Sequence, residues 1–321
     1  MRRSATEARP RRAHARSRPP APCRARRRRR DEPAARGDAA GPVTAAGASP
    51  WDDALGGWRP NPAEVSLGVR ITAAGPTGAS GIAVVPDDAR GLGWSTTLSD
   101  LLLGRALLAA LGPGWSCVTL SLRSEWTATV LAGVGALAGS AQLVDVTGDV
   151  ALVHGRVHDA AGRSVALVSG RFKIFRGERQ PPAGLASSGS APSDGCLTRV
   201  LGMAPRGHAQ AERVVWALPR SRRFANPSDV VHGGVQAAAL VCVAEDLAAA
   251  VGAGARWRVL DLDVHYRRAL AVADESAEVV GFIKSRSRSV LSVDLEVVDA
   301  EGVLLTAGSC MLARVEVDEA S

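Results

Sequence analysis

The chain has 321 residues, of which 46% are apolar and only 4% aromatic, with 39 basic and 32 acidic side chains. That length is sufficient for two domains of ordinary size, each with its own core. Residues 1–50 contain 14 arginines and four acidic residues, whereas the remainder contains 25 basic and 28 acidic residues. Because the larger part is mildly acidic, the composition excludes a basic nucleic-acid-binding domain, and no nucleic-acid partner is expected.

The N-terminal segment, residues 1–53, is predicted to be a disordered, arginine-rich tail. Residues 1–50 have almost no large apolar side chain that could offset the entropy of ordering the backbone. The run Arg26–Arg30 leaves open contact with nucleic acid or an anionic membrane. The plainer alternatives are a solvated tail, or a start codon assigned too far upstream in an arginine-rich, GC-rich gene.

Cysteine usage and hydropathy indicate the compartment. The five cysteines are scattered, with neither a CxxC spacing nor a Cys/His pattern, which disfavours disulfides and structural zinc and fits a reducing cytosol. No apolar run approaches the ~20 residues that span a bilayer. The N-terminus also lacks the apolar core of a signal peptide. We therefore expect a soluble, cytoplasmic protein that does not enter a membrane.

The first half of the folded part predicts a short strand, a long apolar helix and an antiparallel meander. In chain order these are Gly81–Val85, about Ser95–Leu111, an alternating strand after Trp115, Val150–Val157 and Val165–Phe175. The sequence Asp159-Ala-Ala-Gly162 is predicted to be the turn between the last two strands.

The second half repeats this order. Its predicted elements are Val214–Leu218, about Gly233–Val251, an alternating strand after Trp257, Val290–Val297 and Val303–Val315. Trp257 follows Trp115 by 142 residues, and the turn at Asp299 follows the turn at Asp159 by 140. A nearly constant offset indicates an internal repeat.

The repeat defines the domains. We predict one domain at 54–176 and another at 196–318, joined by a Gly/Pro/Ser/Ala-rich linker at 177–195. In each domain the helix should lie against the concave face of its sheet. The two sheets can join edge to edge, because this covers an exposed edge strand and makes a covalent version of a twofold dimer. The predicted fold class is therefore α+β.

The second half also carries the motif Arg223-Phe-Ala-Asn-Pro-Ser-Asp-Val-Val-His-Gly-Gly-Val235. An Asn, five residues, and then His-Gly-Gly at the start of a long helix resembles the hotdog-fold thioesterases, in particular the PaaI-like and 4-hydroxybenzoyl-CoA types. The resemblance extends over about residues 60–316. It implies two hotdog folds in tandem, each with a central helix wrapped by antiparallel sheet, and leaves open a homodimer of such chains.

In that family the catalytic carboxylate lies nine residues after the His, on the central helix. In the second half this position is Val241, whereas in the first half, where Gly91 replaces the His, it is Asp100. Family sites combine the His-Gly end of one unit with the acid of the other. The resemblance therefore implies one composite site containing Asp100, Asn226 and His232, and an inactive opposite site with Gly91 and Val241.

The residues of the composite site suit thioester hydrolysis. Backbone N–H groups of Gly233 or Gly234, at a helix N-terminus, can stabilise a developing oxyanion. The resemblance implies that Asp100 is general base or nucleophile, and these two roles stay open. It implies that Asn226 orients the water or the thioester and that His232 braces the loop or the carbonyl. No metal or cofactor is required.

Two further observations concern the carboxylate. Asp100 shares a helix face with Leu103, Gly104, Leu107 and Leu111, and a carboxylate on an apolar face is costly unless it is paired. The alternative is an acidic residue that favours the helix dipole. A Ser or Thr on the next strand commonly supports the acid in the family, and Ser116 takes that place, although it can equally be an ordinary strand residue. The acids Glu245 and Asp246 come a turn after Val241 and are expected to be misplaced.

A basic group in the second meander is a candidate site for the phosphates of coenzyme A, although a solvated strand face explains it equally. Its members are Arg267, Arg268, Lys284, Arg286 and Arg288.

The leading hypothesis is an acyl-CoA thioesterase. One alternative is a catalytically silent hotdog module that binds acyl-CoA or a protein partner, since one half has already lost its motif. A third hypothesis, a hotdog hydratase or dehydratase, fits the spacing of Asn226, Asp229 and His232 poorly. The sequence does not specify the acyl group.

Overall fold

A computed structural model gives the architecture of most of the chain. It describes residues 60–89, 92–127, 135–177, 192–207, 212–251 and 256–315. The predicted tail through residue 53, Gly91 and most of the predicted linker lie outside the described residues.

The first half places one long helix among six strands. Its elements are α1 (Pro62–Ser66), β1 (Val69–Gly75), β2 (Gly78–Val84), α2 (Trp94–Leu111), β3 (Trp115–Trp126), β4 (Ala136–Thr147), β5 (Val150–Asp159) and β6 (Ser164–Arg176). Three of these elements, α1, β1 and β4, were not predicted from the sequence. The strands β1 and β4 are rich in small and polar residues, and α1 has only five residues.

The second half follows the same plan. Its elements are α3 (Leu197–Val200), β7 (Ala204–Pro205), β8 (Arg213–Pro219), a 3-10 turn (Arg222–Phe224), α4 (Gly233–Val251), β9 (Arg256–Val259), β10 (Asp261–Tyr266), β11 (Ser276–Arg286), β12 (Val290–Val298) and β13 (Leu304–Val315).

The strands of the described residues form one antiparallel sheet with the order β1-β2-β4-β5-β6-β3-β10-β13-β12-β11-β8-β7, and β9 pairs with β13. The two halves join at β3 and β10, where Glu125 lies opposite Asp261 and Ser121 lies opposite His265. Helix α2 packs on β1, β2, β4 and β5, and α4 packs on β8, β11 and β12. The prediction of an antiparallel sheet carrying two long helices is confirmed.

The two predicted turns use the same hydrogen bonds. Asp159 Oδ1 accepts from the N–H groups of Ala161 and Arg163, and Asp299 Oδ1 accepts from those of Glu301 and Val303. Gly162 and Gly302 each have φ 78°, a left-handed conformation that favours glycine. The two turns, 140 residues apart, therefore have the same geometry, as expected for an internal repeat.

The two long helices meet at their N-terminal ends. A Cβ on Gly234 would lie 2.6 Å from Thr97 Cα, so only glycine allows this approach. Thr96 Oγ1 donates a hydrogen bond to Gly234 O at 3.1 Å. The start of α4 is thereby held against the second turn of α2, which contains Asp100.

Helix α4 corrects one expectation from the sequence. Over the described residues, α4 is a 19-residue helix long and apolar enough to cross a membrane, so an apolar run of nearly that length does exist. However, 78% of its most apolar stretch is buried inside the protein, which is typical of a core helix.

Candidate active site

The site is centred on the Asp100 carboxylate, which is 5% exposed on α2. Asp100 Oδ2 accepts a hydrogen bond from Gly234 N at 2.8 Å, and Oδ1 accepts one from Thr119 Oγ1 at 3.0 Å. A buried carboxylate needs such donors, because desolvation penalises its charge. One donor comes from each half of the chain, so both repeats form the site.

His232 lies beside this carboxylate, directly before α4. Its Nδ1 is 3.3 Å from Asp100 Oδ2 and accepts a hydrogen bond from Gly234 N at 3.1 Å. Burial lowers the pKa of His232 from its usual value and outweighs the Asp100 carboxylate, which acts in the opposite direction. The lowered pKa favours the neutral imidazole of His232, whose Nδ1 lies against both the Gly234 N–H and the Asp100 carboxylate.

The two glycines after His232 have different environments. Gly234 N–H is shared between Asp100 and His232. Gly233 lines a cavity, and its N–H has no acceptor among the described residues. A Cβ on Gly233 would lie 2.7 Å from Asp100 Oδ2, so a side chain would push the carboxylate away. Of the two predicted oxyanion donors, Gly233 has the available N–H group.

The strand residue that meets the carboxylate is Thr119 and not Ser116, which corrects the sequence prediction. Ser116 Oγ donates to the carbonyl oxygen of Gly177 instead. The reason is a bulge in β3: Thr119 lies opposite Phe172 and Ser121 lies opposite Arg171 on β6, so Leu120 is an extra residue.

The bulge reverses which residues of β3 face the helices. Cys117 and Thr119, opposite the buried Ile174 and Phe172, share their face with Leu122 beyond the bulge. An uninterrupted alternation through Leu122 would have placed Ser116 there instead. No feature of the sequence marks this bulge.

Asn226 lines the same cavity as Asp100. Its Oδ1 accepts from Ser228 N at 2.9 Å and Val230 N at 3.3 Å, which folds the loop before α4 into a tight turn. Its amide Nδ2 has no hydrogen-bond acceptor among the described residues. The side chain therefore shapes the loop with one atom and leaves a donor for a ligand with the other.

The cavity beside Asp100 has a volume of about 1160 Å³ and lies between the two halves. Its walls combine polar groups near Asp100 with apolar side chains from α2 and β3, such as Leu101, Leu108 and Trp115. A mainly apolar cavity with a few convergent polar groups is typical of a small-molecule site.

The predicted basic group divides into two sets. Arg267 and Arg268 are exposed and line the cavity directly after β10. Lys284 pairs with Asp294 at 3.2 Å, and Arg286 and Arg288 are exposed at the end of β11, away from the cavity lining.

Glu245 and Asp246 also lie elsewhere. Glu245 Oε1 accepts from Leu92 N at 3.1 Å, and Asp246 Oδ2 accepts from Trp216 Nε1 at 3.0 Å. Burial raises the pKa of Glu245 to about 7, although the Leu92 N–H acts to lower it. Glu245 thus caps the segment leading into α2, just as Asp100 binds the start of α4.

The chain packs tightly near Glu245. A Cβ on Gly93 would lie 2.7 Å from Leu197 Cδ2, so α3 packs tightly against the start of α2. Val241, at the position equivalent to Asp100, is fully buried. Among the residues that the structure describes, no group of three or more His, Cys, Asp or Glu side chains is arranged to hold a metal ion.

Comparisons with known proteins show the fold. No protein-family model and no curated protein matches the sequence. Among solved structures, the chain is similar to the tesB protein of Mycobacterium avium subsp. paratuberculosis, with TM-score 0.57, 13% identity, and coverage of 77% of this chain and 96% of that one. It is also similar to the acyl-CoA thioesterase II TesB2 of Mycobacterium marinum, with TM-score 0.50, 13% identity, and coverage of 74% and 94%. At these identities the similarity defines the class of fold.

Proposed function

We propose that the chain is an acyl-CoA thioesterase built from two hotdog units in tandem, residues 54–176 and 196–318, with one composite site between them. The observation that carries this proposal is the hydrogen bond from Gly234 N to Asp100 Oδ2 at the wall of a large cavity. It joins the His-Gly-Gly element of one half to the carboxylate of the other. The fold shared with structures named as thioesterases supports the same class of reaction.

The proposed reaction begins with the thioester carbonyl oxygen at Gly233 N–H. This group lies at the N-terminus of α4, where the helix dipole favours developing negative charge. Asp100, held by Thr119 and Gly234, takes a proton from water as the water oxygen attacks the carbonyl carbon. The tetrahedral intermediate then expels the CoA thiolate, which takes the proton from Asp100, and leaves the free acid with Asp100 again a carboxylate.

The other polar groups suit binding. Nδ2 of Asn226 is a donor available to the thioester or the water, and the imidazole of His232 lines the same cavity. Arg267 and Arg268, at the cavity, are placed to bind phosphate oxygens of CoA. The four cysteines of the described residues are free, in agreement with the proposed cytoplasmic location.

A panel of acyl-CoA thioesters of different chain length, with and without aromatic groups, tests the proposal through release of free thiol. We expect thiol release with at least one acyl class, at a rate proportional to enzyme concentration. Binding of acyl-CoA without thiol release would instead identify a silent module. Hydration of an enoyl-CoA without thiol release would identify a hydratase. Either result would contradict the proposal.

A further inference from the structure

Tyr266 is the only tyrosine in the chain, and it lies in the wall of the candidate active site. It ends β10, immediately before Arg267 and Arg268. Its hydroxyl donates a hydrogen bond to the carbonyl oxygen of Gly233 at 2.8 Å. Burial and the nearby Asp100 carboxylate both raise the pKa of Tyr266 well above its usual value, so the phenol is protonated and remains a donor.

The same peptide group that Tyr266 holds also holds Asp100. The Gly233 carbonyl and the Gly234 N–H belong to one planar trans peptide, so they point in opposite directions. Tyr266 binds the oxygen at 2.8 Å, and Asp100 Oδ2 accepts from the nitrogen at 2.8 Å. Fixing the carbonyl therefore fixes the direction in which the N–H meets the carboxylate.

This peptide needs such a restraint because glycine flanks it on both sides. Without a Cβ on either residue, the plane of this peptide has fewer steric restraints than that of a peptide between residues with side chains. Side chains cannot supply the restraint, since a Cβ on Gly233 would lie 2.7 Å from Asp100 Oδ2 and one on Gly234 would lie 2.6 Å from Thr97 Cα.

The other half of the chain lacks this restraint. At the repeat offset of 142 residues, Tyr266 corresponds to Ser124, whose buried hydroxyl has no hydrogen-bond partner among the described residues. The phenol is therefore found in the half that carries His232 and Gly233, and its counterpart is too short to replace it.

We propose that Tyr266 is a positioning residue for hydrolysis: its hydroxyl locks the Gly233–Gly234 peptide so that Gly234 N–H holds Asp100 in its working orientation. This inference rests on the proposed thioesterase function. It assigns Tyr266 no contact with the reacting atoms, because its effect passes through the peptide.

A double-mutant cycle of Tyr266→Phe and Asp100→Asn tests the inference with the acyl-CoA that the wild-type protein hydrolyses best. Removal of one hydrogen bond should lower kcat about tenfold in the Phe variant, with KM unchanged within error, since the ring is kept. In the Asp100→Asn background the same change should have no further effect on single-turnover hydrolysis, because the group it positions is gone. A normal kcat in Tyr266→Phe, or an equal loss in both backgrounds, would overturn the inference and leave the thioesterase proposal standing. No thiol release by the wild type with any acyl-CoA would overturn both.

The single tyrosine permits a measurement that needs neither turnover nor the Phe variant. Protein grown with 3-fluorotyrosine carries one fluorine label, at Tyr266, and gives one 19F resonance. We expect Asp100→Asn to shift this resonance, because it removes the nearby carboxylate charge and changes the other end of the same peptide, and Glu245→Gln to leave it in place. A resonance unaffected by Asp100→Asn would show that Tyr266 and Asp100 are not linked, and would overturn the inference.

Discussion

Gly234 N donates a 2.8 Å hydrogen bond to Asp100 Oδ2, although the two residues are 134 positions apart and belong to different halves of the chain. The bond depends on the close approach of α2 and α4, which the absence of a Cβ on Gly234 allows. It places a buried carboxylate at a helix N-terminus, where the dipole stabilises negative charge. The two repeats are therefore coupled at the atoms that we propose carry the reaction.

Replacement of Thr119 by Val tests which strand residue supports the carboxylate. Val has the shape of Thr but cannot donate to Asp100 Oδ1, so one hydrogen bond to a charged group is lost. We expect kcat for acyl-CoA hydrolysis to fall about 10- to 100-fold. The matched control is Ser116→Ala, which removes a bond to the Gly177 carbonyl and should leave kcat unchanged within error. A larger loss from Ser116→Ala than from Thr119→Val would restore Ser116 to the role predicted from the sequence.

Two glycine-to-alanine changes should alter stability in opposite directions. Gly234→Ala places a methyl group 2.6 Å from Thr97 Cα, so the helices must move apart, and the free energy of unfolding should fall by about 1–3 kcal/mol. Gly104 lies inside α2, and a methyl group added there meets only Phe172 Cε1, at 3.8 Å. Gly104→Ala should therefore raise the free energy of unfolding by up to about 1 kcal/mol. Urea denaturation of both variants checks this. Equal stability of the two would contradict the close contact at Gly234.

Glu245 should make stability depend on pH. Its pKa is raised from 4.5 to about 7 by burial, so the folded state favours the protonated form. The contribution of Glu245 to stability is therefore greatest below about pH 4.5, where Glu245 is protonated in both states, and it falls as the pH rises towards about 7. The total loss is on the order of 3 kcal/mol.

Glu245→Gln keeps an acceptor for Leu92 N–H but cannot ionise. In thermal unfolding between pH 4.5 and pH 8, this variant should lose the part of the pH dependence due to Glu245 and be more stable than the wild type at pH 8. The control is Asp246→Asn, because Asp246 is the next residue and binds Trp216 instead. This variant retains Glu245 and should keep the wild-type dependence of stability on pH. If the stability of Glu245→Gln depended on pH as strongly as that of the wild type, the Glu245 carboxyl group would be hydrated in solution and its pKa would not be raised.

Much of the fold could be predicted from the sequence because the informative features are local. The span of α4 follows from its long, mainly apolar segment after His-Gly-Gly, and the turns at Asp159 and Asp299 follow from an Asp whose side chain caps the chain reversal. The pairing of Asp100 with the start of α4 could be predicted only because a family motif supplied the register between the halves.

The rest depends on geometry that no local pattern encodes. The bulge at Leu120 changes which residues of β3 face the helices, and no glycine or proline marks it. The sequence therefore indicated Ser116 as the residue that supports the carboxylate, whereas the structure has Thr119 there. The role of Tyr266 depends on β10 meeting the first residue of α4 in space. Glu245 binds Leu92 N–H from a position four residues after Val241, a contact that depends on how the start of α2 lies against α4 and that no local pattern indicates.

The turnover number of Asp100→Asn, measured by thiol release beside that of Glu245→Gln, tests the composite site most directly. Both variants exchange a carboxylate that binds a backbone N–H at the start of the opposite helix for a neutral isostere; Asp100 is buried and Glu245 is partly buried. If the reaction takes place at the Asp100 cavity, Asp100→Asn lowers kcat by about two to four orders of magnitude, while Glu245→Gln stays close to the wild type. Normal hydrolysis by Asp100→Asn together with its abolition in Glu245→Gln would contradict the account and move the reaction to the other end of the helix pair.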